Sequence, residues 1–105
     1  MLESEYQAKL IRKLKRKFPG CIILKNDAGY LQGILDLTLL YQDTWAALEV
    51  KASSSAPLQA NQQHYVTEMN DMSFAAVIHP ENEEEVLLAL EEAFASRRRA
   101  CIPQS

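Results

Sequence analysis

Apolar residues recur along the chain at two periods, and the switches between them predict the elements. Over residues 3–17, Tyr6, Leu10, Ile11 and Leu14, with Phe18 just beyond, fall at helical spacing while bases fill the other face. Ser4 is the expected N-cap and Pro19-Gly20 the expected stop. Residues 21–24 are a short apolar run that predicts a strand, followed by a polar loop from Asn26 to Gly29. Residues 34–41 and 45–51 predict two strands, and the short polar link Gln42-Asp43-Thr44 predicts a hairpin. Residues 52–57 are a loop. Residues 58–71 place Leu58, Gln62, Tyr65, Val66 and Met69 at helical spacing, and residues 73–79 predict a buried strand. Residues 81–96 predict a helix with an apolar stripe of Val86, Leu87, Leu90, Ala93 and Phe94, acidic at its start and basic at its end as the helix dipole favours. The order α-β-β-β-α-β-α predicts an α/β fold, a small mixed sheet with helices packed on it.

The chain has 105 residues, 48% of them hydrophobic, which suffices for one domain with a real core and leaves no room for a second. Residues 1–96 are expected to be that domain, and residues 97–105 a basic, flexible tail. No apolar run approaches the length of a membrane span, so no membrane partner is expected. The start Met-Leu-Glu-Ser-Glu is acidic and unlike a secretory signal. Cys21 and Cys101 form neither a metal spacing nor a disulfide framework, and a reducing, cytoplasmic location is expected. A chain this short also makes a homodimer a reasonable expectation.

Net charge is −3, but its distribution is uneven. Residues 1–30 hold seven bases against three acids, whereas residues 31–96 hold eleven acids and a single base, Lys51. A lone lysine in an acidic stretch is a candidate for chemistry rather than solvation.

Side chains alternate between the faces of a strand. In the first hairpin strand Ile34, Asp36, Thr38 and Leu40 are expected on one face, with Leu35, Leu37, Leu39 and Tyr41 on the other. In the second, Trp45, Ala47, Glu49 and Lys51 oppose Ala46, Leu48 and Val50. Burying the two apolar faces together, as any even-numbered loop does, brings Asp36, Glu49 and Lys51 to one face near the strand ends. Adjacent carboxylates repel unless a cation joins them. A hard divalent ion, Mg²⁺ or Mn²⁺, is the natural partner, and Mg²⁺ keeps waters for chemistry. A charged lysine two residues on suits polarising a water or stabilising a phosphorane-like transition state. Such a set suits hydrolysis of phosphodiester bonds.

Gly33-Ile34-Leu35-Asp36, a dozen residues, then Glu49-Val50-Lys51 resembles the motif of the PD-(D/E)XK nuclease superfamily. Within it, the chain is most similar to the small VRR-NUC group and, more distantly, to the archaeal Holliday-junction resolvases. Glu3-Ser4-Glu5-Tyr6-Gln7 resembles the acid-bearing first helix, Lys25-Asn26 the segment leading into the Asp motif, and Leu58, Gln62 and Tyr65 the glutamine-bearing helix. The proline usual before the Asp is Leu35 here. The resemblance covers residues 3–88 and implies a restriction-endonuclease-like αβββαβ core, with a mixed central sheet flanked by helices. It implies a metal-dependent endonuclease acting on DNA, with branched or junction DNA as the preferred substrate. Asp36, Glu49 and the main-chain carbonyl of Val50 would hold the metal, Lys51 would orient water, and Glu3, with Glu5 as its rival, would reach the metal through water. Gln62 would approach from its helix. A catalytically inactive binding module or interaction subunit of the same fold is the alternative.

With a nuclease site in the chain, the basic face of the first helix (Lys9, Arg12, Lys13, Arg16) and Lys25 become candidate phosphate contacts, with Arg97 to Arg99 as a second. Without one, those bases are a solvated face. Cys21 reads as a small core residue, His64 and His79 as structural or surface residues, and Trp45 as partly buried on the face that carries the site.

Overall fold

The computed structural model describes the backbone of residues 1–100 and the side chains of residues 1–96. Among these residues the order runs α1 (Glu3–Lys17), β1 (Ile22–Lys25), β2 (Leu37–Tyr41), β3 (Thr44–Val50), α2 (Ala60–Met72), β4 (Phe74–Ile78) and α3 (Glu83–Ala100). The fold is α/β. One sheet in the order β1-β2-β3-β4 is flanked by three helices. β1 and β3 pair antiparallel with β2, and β4 joins β3 in parallel across the α2 crossover. No helix among the described residues is long and apolar enough to cross a membrane.

The sheet separates two cores. On one face Tyr6, Leu10 and Leu14 of α1 and Val86, Leu87, Leu90 and Phe94 of α3 close over Leu37, Leu39, Leu48, Val50 and Ile78. Each fully buried Leu or Ile there stabilises the fold by about 1.5–3 kcal/mol. Phe18, Tyr41 and Phe94 seal the end beside the hairpin turn, with ring centroids 5.2–5.5 Å apart. On the other face α2 lies over β3 and β4 and covers a smaller cluster of Leu35, Ala47 and Ala75 with the half-buried Trp45, Tyr65, Val66 and Met69. The alanines of β3 and β4 allow that helix a close approach. β3 is therefore covered on both faces, as its apolar run requires. Ile22, Leu24 and Leu40, on the half of this face that α2 does not reach, stay exposed.

Several expectations shift. α1 is capped at Leu2, not Ser4: Glu5 Oε1 accepts the Leu2 amide at 2.9 Å. β1 lies one residue later than expected and includes Lys25. The hairpin loop is only Gln42-Asp43, with Gln42 at φ 56°, and Thr44 already pairs with Tyr41. α2 starts at Ala60, so Leu58 precedes it. α3 starts later, at Glu83, and runs through Arg97 to Ala100 instead of ending at residue 96. The tail expected over residues 97–105 thus begins as helix, and residues 101–105 lie outside the described residues.

The largest difference lies before β2, which begins at Leu37 and not at residue 34. Leu35 was expected to share the face of Leu37 and Leu39. It is instead fully buried on the opposite face, against Ala47 and Ala75 beneath α2. The alternation breaks between Leu35 and Leu37, and Asp36 sits at the break.

Candidate active site

The parallel pair β3–β4 ends at Val50 and Ile78, and the ladder runs one residue further through the Lys51 amide to the Ile78 carbonyl at 2.9 Å. β2 begins at the same end of the sheet. Asp36, Glu49, Val50 and Lys51 are therefore brought together where strands give way to loops. Asp36 does not project from a pleat. Its Oδ2 accepts the Val50 amide at 2.8 Å, so its carboxylate occupies a ladder position beside β3.

Glu49 points to the α2 side, like Ala47 two residues earlier, and is 2% exposed. Its Oε2 accepts Gln62 Nε2 at 2.9 Å and lies 3.4 Å from Lys51 Nζ. Lys51 Nζ in turn donates to Gln62 Oε1 at 3.2 Å. Gln62 thus bridges the acid and the amine, and its orientation is set by its place in α2. It is the third helical residue, and its Oε1 also accepts the Gln59 amide at 3.0 Å, which caps the helix start. Gln62 thus reaches both Lys51 and Glu49 from α2.

Burial and then the Asp36 charge push the Glu49 carboxyl up to about 7, with Lys51 pulling the other way. Its second oxygen, Oε1, is buried with no hydrogen-bond partner. An unpartnered carboxylate oxygen costs stability and needs an explanation. The oxygens that this end of the sheet offers, the Asp36 and Glu49 carboxylates and the Val50 carbonyl, which points to the same side of β3 as the amide bound by Asp36, are of the kind a hard divalent cation takes.

No known protein family, curated protein or solved structure matches this chain.

The remaining sequence-predicted residues fall outside this cluster. Glu3 is exposed in the first turn of α1 and makes no contact with it; among the described residues no group of three His, Cys, Asp or Glu side chains is placed to hold a metal ion. Glu5, its rival, is engaged at the cap. Lys9, Arg12, Lys13 and Arg16 are exposed on α1, on the face of the sheet opposite α2 and Gln62. Their charge is partly neutralised within the chain. Lys13 is ion-paired to Glu83, which also accepts the Tyr6 hydroxyl at 2.7 Å, and Lys17 lies 3.7 Å from Glu91. Lys9, Arg12 and Arg16 line a cavity of about 340 Å³ that reaches Pro80. Lys25 is exposed at the end of β1, paired in register with Leu37 and so next to the loop that carries Asp36. The side chains of Arg97 to Arg99 lie outside the described residues.

Two supports escaped sequence reasoning. Glu81 Oε1 accepts the Ser54 amide at 2.7 Å and ties the loop after Lys51 to the loop after β4; His79 Nδ1 sits 3.9 Å from its other oxygen, buried and without a hydrogen bond. The loop before Asp36 is seated on α2 at Gly33. There φ is +90°, and a Cβ would stand 2.7 Å from Asn61 Cγ and 3.0 Å from its backbone carbon. The only sequence signal for this was a glycine three residues before the aspartate.

Proposed function

We propose that the chain is a metal-dependent nuclease that hydrolyses phosphodiester bonds in DNA. The observation that carries this reading is the buried Glu49, with one oxygen bridged by Gln62 and paired with Lys51 and the other left without a partner beside Asp36. The resemblance of Gly33 to Lys51 to the PD-(D/E)XK motif, and of the element order to that superfamily's core, supports it.

In this reading Asp36, Glu49 and the Val50 carbonyl hold Mg²⁺ or Mn²⁺. The bound ion would supply Lewis-acid polarisation of the phosphate and of a water. Glu49 must be ionised to serve as a ligand, and a cation beside it favours that form. Gln62 fixes the Lys51 ammonium, which stands ready to orient the attacking water and to stabilise negative charge on the phosphoryl oxygens. The water oxygen forms the new bond to phosphorus, one ester P–O bond breaks, and the departing oxygen leaves with a proton. Lys25, beside the loop that carries Asp36, and the basic residues along α1, on the other face of the sheet, are the phosphate contacts. They supply sequence-independent, salt-sensitive affinity. Branched DNA is the preferred substrate, on the resemblance, and a homodimer would present two sites to two strands.

The alternative is a binding module of the same fold without turnover, favoured by the finding that among the described residues no third His, Cys, Asp or Glu, Glu3 included, joins Asp36 and Glu49 in a group placed to hold a metal ion. Purified protein incubated with junction, forked, linear duplex and single-stranded DNA separates the two. Cleavage that requires Mg²⁺ or Mn²⁺, stops with EDTA and is lost in Lys51→Ala establishes the enzyme. Binding without cleavage under every metal condition establishes the module. Sedimentation at monomer mass, with and without DNA, removes the homodimer.

A further inference from the structure

The β2–β3 hairpin turns over two residues, so its flanking pair Tyr41–Thr44 is hydrogen-bonded, and so is every second pair beyond it: Leu39–Ala46, then Leu37–Leu48. Next in that series would be Leu35–Val50. Continued pairing would commit the Val50 N–H to the Leu35 carbonyl and the Val50 carbonyl to the Leu35 N–H. The candidate site would then close. The chain does otherwise. The Val50 N–H donates to Asp36 Oδ2 at 2.8 Å, and no backbone bond joins Leu35 to Val50.

The carbonyl released at Leu35 needs a donor, and Asn26 provides it. Asn26 Nδ2 donates to the Leu35 carbonyl at 2.8 Å and to Thr38 Oγ1 at 2.9 Å, while the Asn26 amide donates to the Asp36 carbonyl at 2.9 Å. The half-buried Asn26 side chain therefore ties the Leu35 carbonyl before Asp36 to the Thr38 hydroxyl after it, while the Asn26 main-chain amide holds the Asp36 carbonyl between them. We propose that Asn26 is a positioning residue: its side-chain amide replaces the Val50 N–H at the Leu35 carbonyl and keeps the β2–β3 ladder open at Asp36. The opening leaves the Asp36 carboxylate on the Val50 amide and the Val50 carbonyl free of Leu35. It also lets Leu35 turn to the α2 side, where it packs on Ala47, instead of following Leu37 to the other core. The consequence for a cation rests on the nuclease reading; the open ladder does not.

The test follows the Val50 amide resonance. In the native background Asp36→Ala should shift it strongly, because its acceptor is removed. In an Asn26→Ala background the same Asp36→Ala change should leave it nearly unmoved, since the amide has by then turned to the Leu35 carbonyl. A Val50 response to Asp36→Ala that persists undiminished with Asn26→Ala overturns the proposal. If Asn26→Ala does not fold, Thr38→Val carries the test: it removes one of the two anchors, a partial loss of the response is expected, and full retention refutes the role. Mn²⁺ affinity should also fall about 10–100-fold in Asn26→Ala, as for other residues that orient metal ligands. Unchanged Mn²⁺ affinity in a folded variant reduces Asn26 to a stability staple. A native protein that neither binds Mn²⁺ nor cuts DNA sinks the nuclease reading, while the Val50 resonance still decides the part played by Asn26.

Discussion

Gly33→Ala should cost more than any other single-methyl addition near the site. Gly33 is buried at φ +90°, in the left-handed region, where an L-residue costs about 1–2 kcal/mol. The added methyl would also stand 2.7 Å and 2.8 Å from Asn61 Cγ and Cβ, and 3.0 Å from the Asn61 backbone carbon. The Asn61 side chain can rotate, but its Cβ and backbone belong to the first turn of α2, so the loop must lift off the helix. Overpacking of this kind typically costs about 1–3 kcal/mol. Together the two effects amount to about 2–5 kcal/mol, a large part of the 5–15 kcal/mol that holds a typical domain. At about 1–3 kcal/mol per molar urea, the unfolding midpoint should fall by at least about 0.7 M. Because Gln62 follows Asn61, any cleavage activity should fall as well, even in the folded fraction. A midpoint within about 0.3 M of the native protein, measured at unchanged slope, would refute the close packing of this loop on α2.

Glu49→Gln should stabilise the fold and abolish cleavage. The raised Glu49 carboxyl, about 7 against 4.5, contributes stability that is fully present below pH 4.5 and lost as pH rises through 7, so the variant's advantage should be near zero at pH 4 and about 1–3 kcal/mol at pH 8 in urea titrations. Added Mg²⁺ at pH 8 should raise the midpoint of the native protein and not of Glu49→Gln. Gln62→Leu leaves Glu49 Oε2 and Lys51 Nζ without their bridge, and cleavage rate should fall about 10–100-fold while the far-ultraviolet dichroism is kept. Leu90→Ala, at a fully buried position of α3, should destabilise by about 2–5 kcal/mol in the same urea assay. Tyr6→Phe removes a hydroxyl donated to an ionised Glu83 and should cost about 1–2 kcal/mol.

The order of elements, α1 almost to the residue, and the division of the β3 side chains between two faces were all legible in the sequence. Helical and strand periods are local, and the apolar residues of 44–50 can be buried only one way once the hairpin loop is even. That same logic put Glu49 and Lys51 on one face, and there it was sufficient. It failed at residues 34–36, where the run Ile-Leu-Asp-Leu reads as uninterrupted strand. Nothing local says that Leu35 leaves the pleat. The departure depends on partners distant in the chain: Asn26 for the Leu35 carbonyl, Val50 for the Asp36 carboxylate, and Ala47, Ala75 and α2 for the Leu35 side chain.

Sequence by itself determined that two of the candidate residues, Glu49 and Lys51, would share one face of the sheet and meet. Tertiary structure alone decided how Asp36 joins them, that Gln62 bridges them, that one Glu49 oxygen is buried without a partner, and that Glu3 and the basic face of α1 stand apart. The physical reason is that side-chain period is a property of one strand, whereas a hydrogen bond that replaces a missing ladder bond is made by whichever donor the packing of several elements brings within reach.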